Sequence, residues 1–241
     1  MRRLAALCYS LKNSVKISVI IPTLNESILL QRLLCNLHEI ADSQTEIIVV
    51  DGGSNDSTAE IASKYAHQVF VAEQGRASQM NYGAAFAKGE ILLFLHADSI
   101  VTARALKKLT ELIKEPAYVG GAFLLKIDSK NYLLKIISLV VNLRSRFFQL
   151  VYGDQGIFVK KKIFMEIGRF PVIPLMEDIA FYSRLRSSGK TVILNEKILT
   201  SARRWEKEGI FFATLRNWLL LIMYYMGVPA KQLEKLYLQV R

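Results

Sequence analysis

The sequence predicts an α/β protein built on a mostly parallel sheet flanked by helices, with a helical C-terminal segment. Three observations carry that expectation. Short apolar runs alternate with amphipathic stretches over the first hundred residues, the pattern of parallel strands joined by helical crossovers. The apolar runs stop at polar groups, Asn25-Glu26, Asp51 and His96-Ala97-Asp98, and in an open parallel sheet such strand ends share the edge where ligands bind. Finally, 241 residues with 51% hydrophobic and 22% charged composition can bury a sizeable core and are too apolar for a disordered chain.

Each element has its own signal. Ile17–Pro22 is an apolar run closed by proline, the mark of a buried strand. Ser27–Ala41 sets Ile28, Leu29, Leu33, Leu37 and Ile40 near helical spacing. Strands are expected at Thr45–Val50, Gln68–Ala72 and Ile91–Leu95, and helices at Ser57–Ala66, Ala77–Lys88 and Thr102–Lys114. Ser57 is the expected N-cap of its helix, and Gly89 the stop after Lys88. The second half is less regular. Strands are expected at Val119–Ile127 and Gly156–Lys160, with a last one before Arg203. Tyr132–Tyr152 reads as an apolar helix interrupted by Asn142, Arg144, Ser145 and Arg146. Glu177–Ser188 reads as a helix stopped by Gly189, and Pro229 opens a last short one.

The expected organisation is an extension over residues 1–14, one domain over 15–205, and apolar and basic helices over 206–241. Within the domain, 15–100 is the regular half and 101–205 the less regular one. Met1–Ser14 is basic, then briefly apolar, without a long apolar core or a small-residue cleavage site, so it reads as a cytosolic extension. Cys8 and Cys35 form neither a disulfide framework nor a metal spacing, which fits reduced thiols in the cytoplasm.

The net charge is +11 and unevenly spread. Residues 1–100 hold 8 Lys+Arg against 10 Asp+Glu, whereas 101–175 hold 13 against 5. A basic middle points to an anionic partner, either a phosphorylated substrate or an anionic membrane surface. Nucleic acid is not expected, because no recognised motif or aromatic interleaving accompanies the charge. Ile210–Val228 is apolar but has Arg216 and Asn217 at its middle. An arginine there costs about 2.5–3.5 kcal/mol on insertion scales, so a core or interfacial helix is expected, not a span.

Ser18-Val-Ile-Ile-Pro-Thr-Leu-Asn-Glu26, followed by Asp51-Gly-Gly-Ser-Asn-Asp-Ser-Thr58, resembles the opening of the family 2 glycosyltransferases. Their GT-A fold has a Rossmann-like nucleotide-binding sheet. Later motifs follow in the family's order, and the resemblance covers nearly the whole chain. It implies that Pro22, Asn25, Glu26, Asp51 and Gly53 surround the nucleotide, a carboxylate such as Asp51 accepting from a uracil N–H or a ribose hydroxyl. A turn role for Asp51 with Ser54 is the competing reading. Gly75-Arg76-Ala77-Ser78-Gln79-Met80-Asn81 resembles the segment whose Arg and Asn, here Arg76 and Asn81, approach the sugar diphosphate. An Arg fork suits a diphosphate.

His96-Ala97-Asp98 stands where the family carries its DxD signature. The resemblance implies that Asp98, with His96 in place of the first acid, holds Mn²⁺ or Mg²⁺ against the diphosphate. Imidazole suits Mn²⁺ better. Gly121 and the Gly153-Asp154-Gln155 loop resemble the acceptor side. Met176-Glu177-Asp178 resembles the family's Glu-Asp pair, implying Asp178 as general base and Glu177 as supporting acid in an inverting transfer. Acids in a first helical turn also complement the helix dipole, which is the competing reading. Arg203-Arg204-Trp205 resembles a terminal Arg/Trp motif without its usual Gln, with Arg204 and Trp205 toward the acceptor.

The expected function is therefore sugar transfer from a nucleotide-diphosphate donor, with UDP implied by resemblance, to a hydroxyl or carboxyl acceptor. The Ser201–Gly209 segment resembles a small bacterial subgroup often labelled diaponeurosporenoate glucosyltransferase-like, so a lipid-like carotenoid acid is an analogy for the acceptor. The expected location is cytoplasmic, peripheral on the inner face of the membrane. Two other readings stay open: a sugar-phosphate nucleotidyltransferase and a non-catalytic nucleotide-sugar binder. The first is disfavoured by Pro22-Thr-Leu-Asn-Glu26, which offers no glycine and no cation to a triphosphate.

Overall fold

The computed structural model describes residues 17–237. The expected extension over residues 1–14, with Cys8, lies outside them, and Cys35 is a free thiol. In chain order the elements are β1 (Ile17–Thr23), α1 (Ser27–Ile40), β2 (Thr45–Asp51), α2 (Thr58–Tyr65), β3 (Gln68–Val71), α3 (Arg76–Phe86), β4 (Ile91–Phe94), β5 (Ser99–Ile100) and α4 (Ala103–Ile113). There follow β6 (Tyr118–Asp128), α5 (Tyr132–Phe148), a 3₁₀ turn (Gly153–Gln155), β7 (Ile157–Lys160), α6 (Lys161–Glu166), α7 (Glu177–Ser188), β8 (Lys190–Ser201), α8 (Arg203–Glu208), α9 (Ile210–Tyr225) and α10 (Ala230–Leu236).

Eight strands form one sheet in the order β3-β2-β1-β4-β7-β6-β8-β5. β3, β2, β1 and β4 run parallel, and β6 runs parallel to β8. β7 is antiparallel to both β4 and β6, and β5 is antiparallel to β8 at the edge. The sheet is thus mixed and mostly parallel, as the alternating pattern predicts.

Every residue of β1 is buried, because both faces of the sheet are covered. Val19 and Ile21 pack with Leu30, Leu33, Leu34 and Leu37 of α1. Burying each such side chain stabilises by about 1.5–3 kcal/mol. Ile20 faces the other way, onto Ala77, Met80 and Ala84 of α3. Two smaller clusters lie under the later helices. Leu220, Leu221 and Leu233 of α9 and α10 pack on Leu175, Met176 and Ile179, while Leu134 of α5 packs on Leu125 and Ile127.

Several expectations change in detail. The helix expected over Tyr132–Tyr152 ends at Phe148, because Gln149 turns left-handed with φ 53°. Arg186 donates to the Phe148 carbonyl and so satisfies the helix end. Ser57 occupies the N-cap position of α2 without a side-chain cap. Asp56 supplies it instead, accepting from the Thr58 N–H at 3.0 Å. Strand β5 and helices α6 and α8 are short elements that sequence periodicity does not reveal. Two residues give no period, and six-residue helices carry little moment.

The polar interruption of α5 has a tertiary cause. Asn142 both accepts from the Leu125 N–H and donates to the Leu125 carbonyl, at 2.7 and 2.9 Å. Ser138 accepts from the Ile127 N–H. β6 pairs with β7 only near Gly120 and Gly121, so α5 supplies backbone partners farther along. Its inner face is therefore polar, and Leu139, Leu143 and Phe147 point outward, exposed. No helix among the described residues is long and apolar enough to cross a membrane.

Candidate active site

Two adjoining cavities, of about 150 and 50 Å³, open at the ends of the strands. They share Arg76, His96, Asp98, Arg203 and Arg204. The smaller is walled by Pro22, Thr23, Leu24 and Glu26. The larger extends past Glu177 and Asp178 to Tyr152, Gly153 and Asp154, and to Trp205. Strand alternation and loop geometry thus bring residues from six separate motifs to one place.

Glu177 and Asp178 open α7, after Met176 at φ 69°. A left-handed non-glycine residue stores strain, commonly at a functional site. The Asp178 carboxylate accepts from the Gly153 N–H at 2.6 Å and from the Ile179 N–H at 2.8 Å. Burial pushes its pKa up, against those two N–H groups and the Arg76 charge. Burial likewise raises Glu177, the Asp178 charge adds to the rise, and Arg76 opposes it. Arg76 lies 3.9 Å from the Glu177 carboxylate. Burial disfavours the Arg76 charge, but the carboxylates around it outweigh that and hold the guanidinium protonated.

Gly153 is required by close approach. A Cβ there would lie 2.7 Å from Nε2 of His96 and 3.4 Å from Asp178 Oδ2. The 3₁₀ turn therefore seats its backbone between the histidine of the first half and the acid of the second. Asp154, next in the turn, has its pKa pushed up to about 6. Burial is the main cause; Asp178 and Asp98 repel it further, and Arg144 and Arg204 oppose the rise.

Several polar atoms around these cavities are buried without a hydrogen-bond partner: Asp98 Oδ1, Asp154 Oδ1, Arg144 Nε and Nη2, Trp205 Nε1 and Thr214 Oγ1. Buried polar groups in folded proteins are otherwise nearly always paired, so this concentration marks a place that ligands complete. Asp98 lines both cavities, and its unpartnered carboxylate oxygen suits a cation. Among the described residues no group of three or more His, Cys, Asp or Glu side chains is placed to hold a metal. Asp98 and His96 fit one only if a bound diphosphate supplies further ligands, as phosphates commonly do for Mg²⁺.

Other motif residues lie elsewhere. Asp51 spends its carboxylate on its own turn, accepting from the N–H groups of Gly53 and Ser54 and from the Ser54 hydroxyl. Asn25 is tied to the same loop, its N–H donating to Ser54 and its Oδ1 accepting from the Asn55 N–H. Neither Asn25, Asp51 nor Gly53 walls a cavity. Asn81 clamps the backbone of Phe170 with one donated and one accepted bond. Gln155 is fully buried, donating to the Phe123 carbonyl and accepting from Ser145. Gly121 sits inside the sheet, where a Cβ would lie 2.1 Å from the Val192 carbonyl oxygen. Glu26 pairs with Arg203 across the junction of the two halves.

The cavities also hold residues absent from the sequence-based site. Gln79 donates to the carbonyls of both Thr23 and Val50, pinning the ends of β1 and β2. Arg144 lies in the larger cavity with its guanidinium 4.2 Å from the Tyr152 ring centre. Thr214, Asn217 and Trp218 reach the same cavity from α9. The signal for Arg144 was the misplaced charge in an apolar helix. Arg216 resolves differently: it is 7% exposed and ion-paired with Glu208 at 2.6 Å.

Comparison with known proteins agrees with this geometry. An uncharacterized glycosyltransferase of Nostoc sp. is 32% identical over 124 residues, which are 48% of this chain and 38% of that protein. The chain thus matches about two fifths of the length of such curated relatives. The crystal structure of Staphylococcus aureus TarS 1-349 in complex with UDP superposes with TM-score 0.66 at 22% identity, covering 77% of this chain and 60% of that fragment. A mannosyltransferase of Pyrobaculum calidifontis in complex with GDP-Man and Mn²⁺ gives TM-score 0.63 at 20% identity, over 77% and 56%. At such identities these structures establish the shared GT-A fold. The profile described as glycosyl transferase family 2 matches residues 18–168, well over half of the chain. This protein belongs to that family.

Proposed function

We propose that the chain transfers a sugar, with inversion, from a UDP-sugar to an acceptor held in the larger cavity. The observation that carries this reading is that Arg76 and Asp98 line both cavities while Asp178 lines the larger one with them. Arg76 is charged and donates in a fork, which suits a diphosphate. Asp178, held by two N–H groups and raised by burial, is a stronger proton acceptor than an ordinary carboxylate. It takes the acceptor proton as the acceptor oxygen bonds to the anomeric carbon and the UDP oxygen leaves. Glu177 orients Arg76. A divalent cation at Asp98, with His96 beside it, would neutralise charge on the departing diphosphate. The Mn²⁺ bound to the Pyrobaculum enzyme and the UDP bound to TarS support these assignments. Exposed apolar residues on α5 and α9, with the basic middle of the chain, support peripheral attachment to an anionic membrane surface.

The test is calorimetry with Mn²⁺ against UDP-glucose, UDP-GlcNAc, GDP-mannose and dTDP-glucose. Metal-dependent binding of a UDP-sugar, lost in Asp98→Ala, is expected. A folded protein that binds none of the four, or binds UDP-sugar equally without metal and in Asp98→Ala, overturns the reading.

A further inference from the structure

The larger cavity has an unused cation on its acceptor side. Arg144 is 8% exposed, and its Nε and Nη2 have no hydrogen-bond partner. Among the described residues it makes no ion pair with a carboxylate; its guanidinium lies against the Tyr152 ring at 4.2 Å. A buried guanidinium with two idle donors carries a large desolvation cost unless an anion meets it. Asp154, in the adjoining turn, feels the Arg144 charge but forms no ion pair with it, and its own Oδ1 is buried without a hydrogen-bond partner. Two more idle donors, Trp205 Nε1 and Thr214 Oγ1, border the same space. Arg76 and Arg203 are already engaged by Glu177 and Glu26.

The rest of this end of the cavity is apolar. Ile137 and Val141 of α5 line it from one side and Trp218 of α9 from the other. On the outer surface of the same two helices, Leu139, Leu215 and Leu219 are exposed. The apolar part of this lining thus comes from α5 on one side and α9 on the other. A free sugar or a small hydrophilic acid would gain nothing from that lining.

We propose that Arg144 is an anion receptor in the acceptor site, and that the acceptor is an amphiphile whose carboxylate or phosphate meets Arg144 while its chain lies between α5 and α9. This rests on the transferase reading for the word acceptor; the anion site itself does not. Charge-assisted bonds from a planar fork favour either anion, and both head groups share this chemistry.

The protein's two tryptophans, Trp205 and Trp218, both line the cavity, so their fluorescence reports its occupancy. The full chain is titrated with decyl phosphate, decanoate and decanol, each below its micelle concentration. At least one anion is expected to bind about 10-fold or more tightly than the alcohol, and the stronger of the two identifies the head group. Arg144→Gln is expected to bring anion and alcohol within about 2-fold of each other. The charge-neutral pair Arg144→Gln with Asp154→Asn serves the same purpose if the single variant fails to fold. Equal affinities for anion and alcohol in the native protein, or discrimination that survives either variant, overturn the proposal. Calorimetry with UDP-glucose on the same samples separates the two readings. Anion discrimination without donor binding keeps the anion site and sinks the transferase reading. Donor binding without discrimination does the reverse.

Discussion

The two halves of the molecule treat polar groups in opposite ways. In the first half, with Asp98 the exception, the acids and amides at the strand ends are consumed by the fold. Asp51 closes its own turn, Asn25 ties that turn to the end of β1, and Gln79 bridges the carbonyls of Thr23 and Val50. In the second half and the helix that follows it, Asp154, Arg144, Trp205 and Thr214 carry buried polar atoms without partners, and Asp154, Glu177 and Asp178 all have raised pKa values. A satisfied frame is rigid and ready-made. An unsatisfied wall stores cost that a ligand relieves. On the proposed transferase reading, the first half is a preorganised donor side and the second an acceptor side kept reactive at the expense of stability.

The largest expected effect tests the reactive side. Asp178→Asn should lower the transfer rate by about 10²–10⁴-fold while donor affinity stays within about 2-fold. A variant with near-normal turnover would remove Asp178 from the chemistry and weaken the contrast between the halves. Single-turnover rates beside donor calorimetry measure it.

The second test asks whether the polar residues of α5 belong to the frame. Asn142→Ala strands both the N–H and the carbonyl of Leu125. A cost of about 2 kcal/mol follows, read as a fall in Tm of roughly 4–8 °C for a chain of this size. No change in Tm would mean that β6 does not depend on α5 for its backbone partners.

The smallest effect concerns pH. The folded-state pKa of Asp154, about 6, lies above its ordinary value of 3.8. The folded protein therefore binds more protons than the unfolded chain between these values. The associated stability is fully present below about pH 4 and is lost as pH rises through about 6. Asp154→Asn should flatten the decline in Tm between pH 5 and 8, gaining most at pH 8. Glu177 and Asp178 shift in the same direction, so part of the slope should remain. An unchanged slope would show that Asp154 is not held partly neutral in the fold.

Legibility in the sequence followed the same division. The strands and helices of the first half were readable because each buries residues at a period set by its own backbone, as Leu30, Leu33, Leu34 and Leu37 do on α1. Helix α5 was readable as a helix but not in its extent or orientation. Its stop is a left-handed Gln149, not a glycine, and its inner face carries Ser138 and Asn142 because β6 has no strand on its β7 side beyond Gly121. Arg203 was quoted within a motif, yet its pairing with Glu26 spans most of the chain and has no local signature.

The sequence by itself determined the alternation of elements, the mostly parallel sheet, and the placement of acids at the ends of strands. Those properties depend on local periodicity and on the rule that open parallel sheets bind at one edge. Only the tertiary structure decided which polar groups are spent and which are free to act. Asp51, Asn81 and Gln155 are engaged by loops and backbones, whereas Asp98, Asp154 and Arg144 keep buried idle atoms at the cavities. The reason is physical: whether a buried polar atom finds a partner depends on what the rest of the chain brings within about 3 Å of it, and residue spacing carries no record of that.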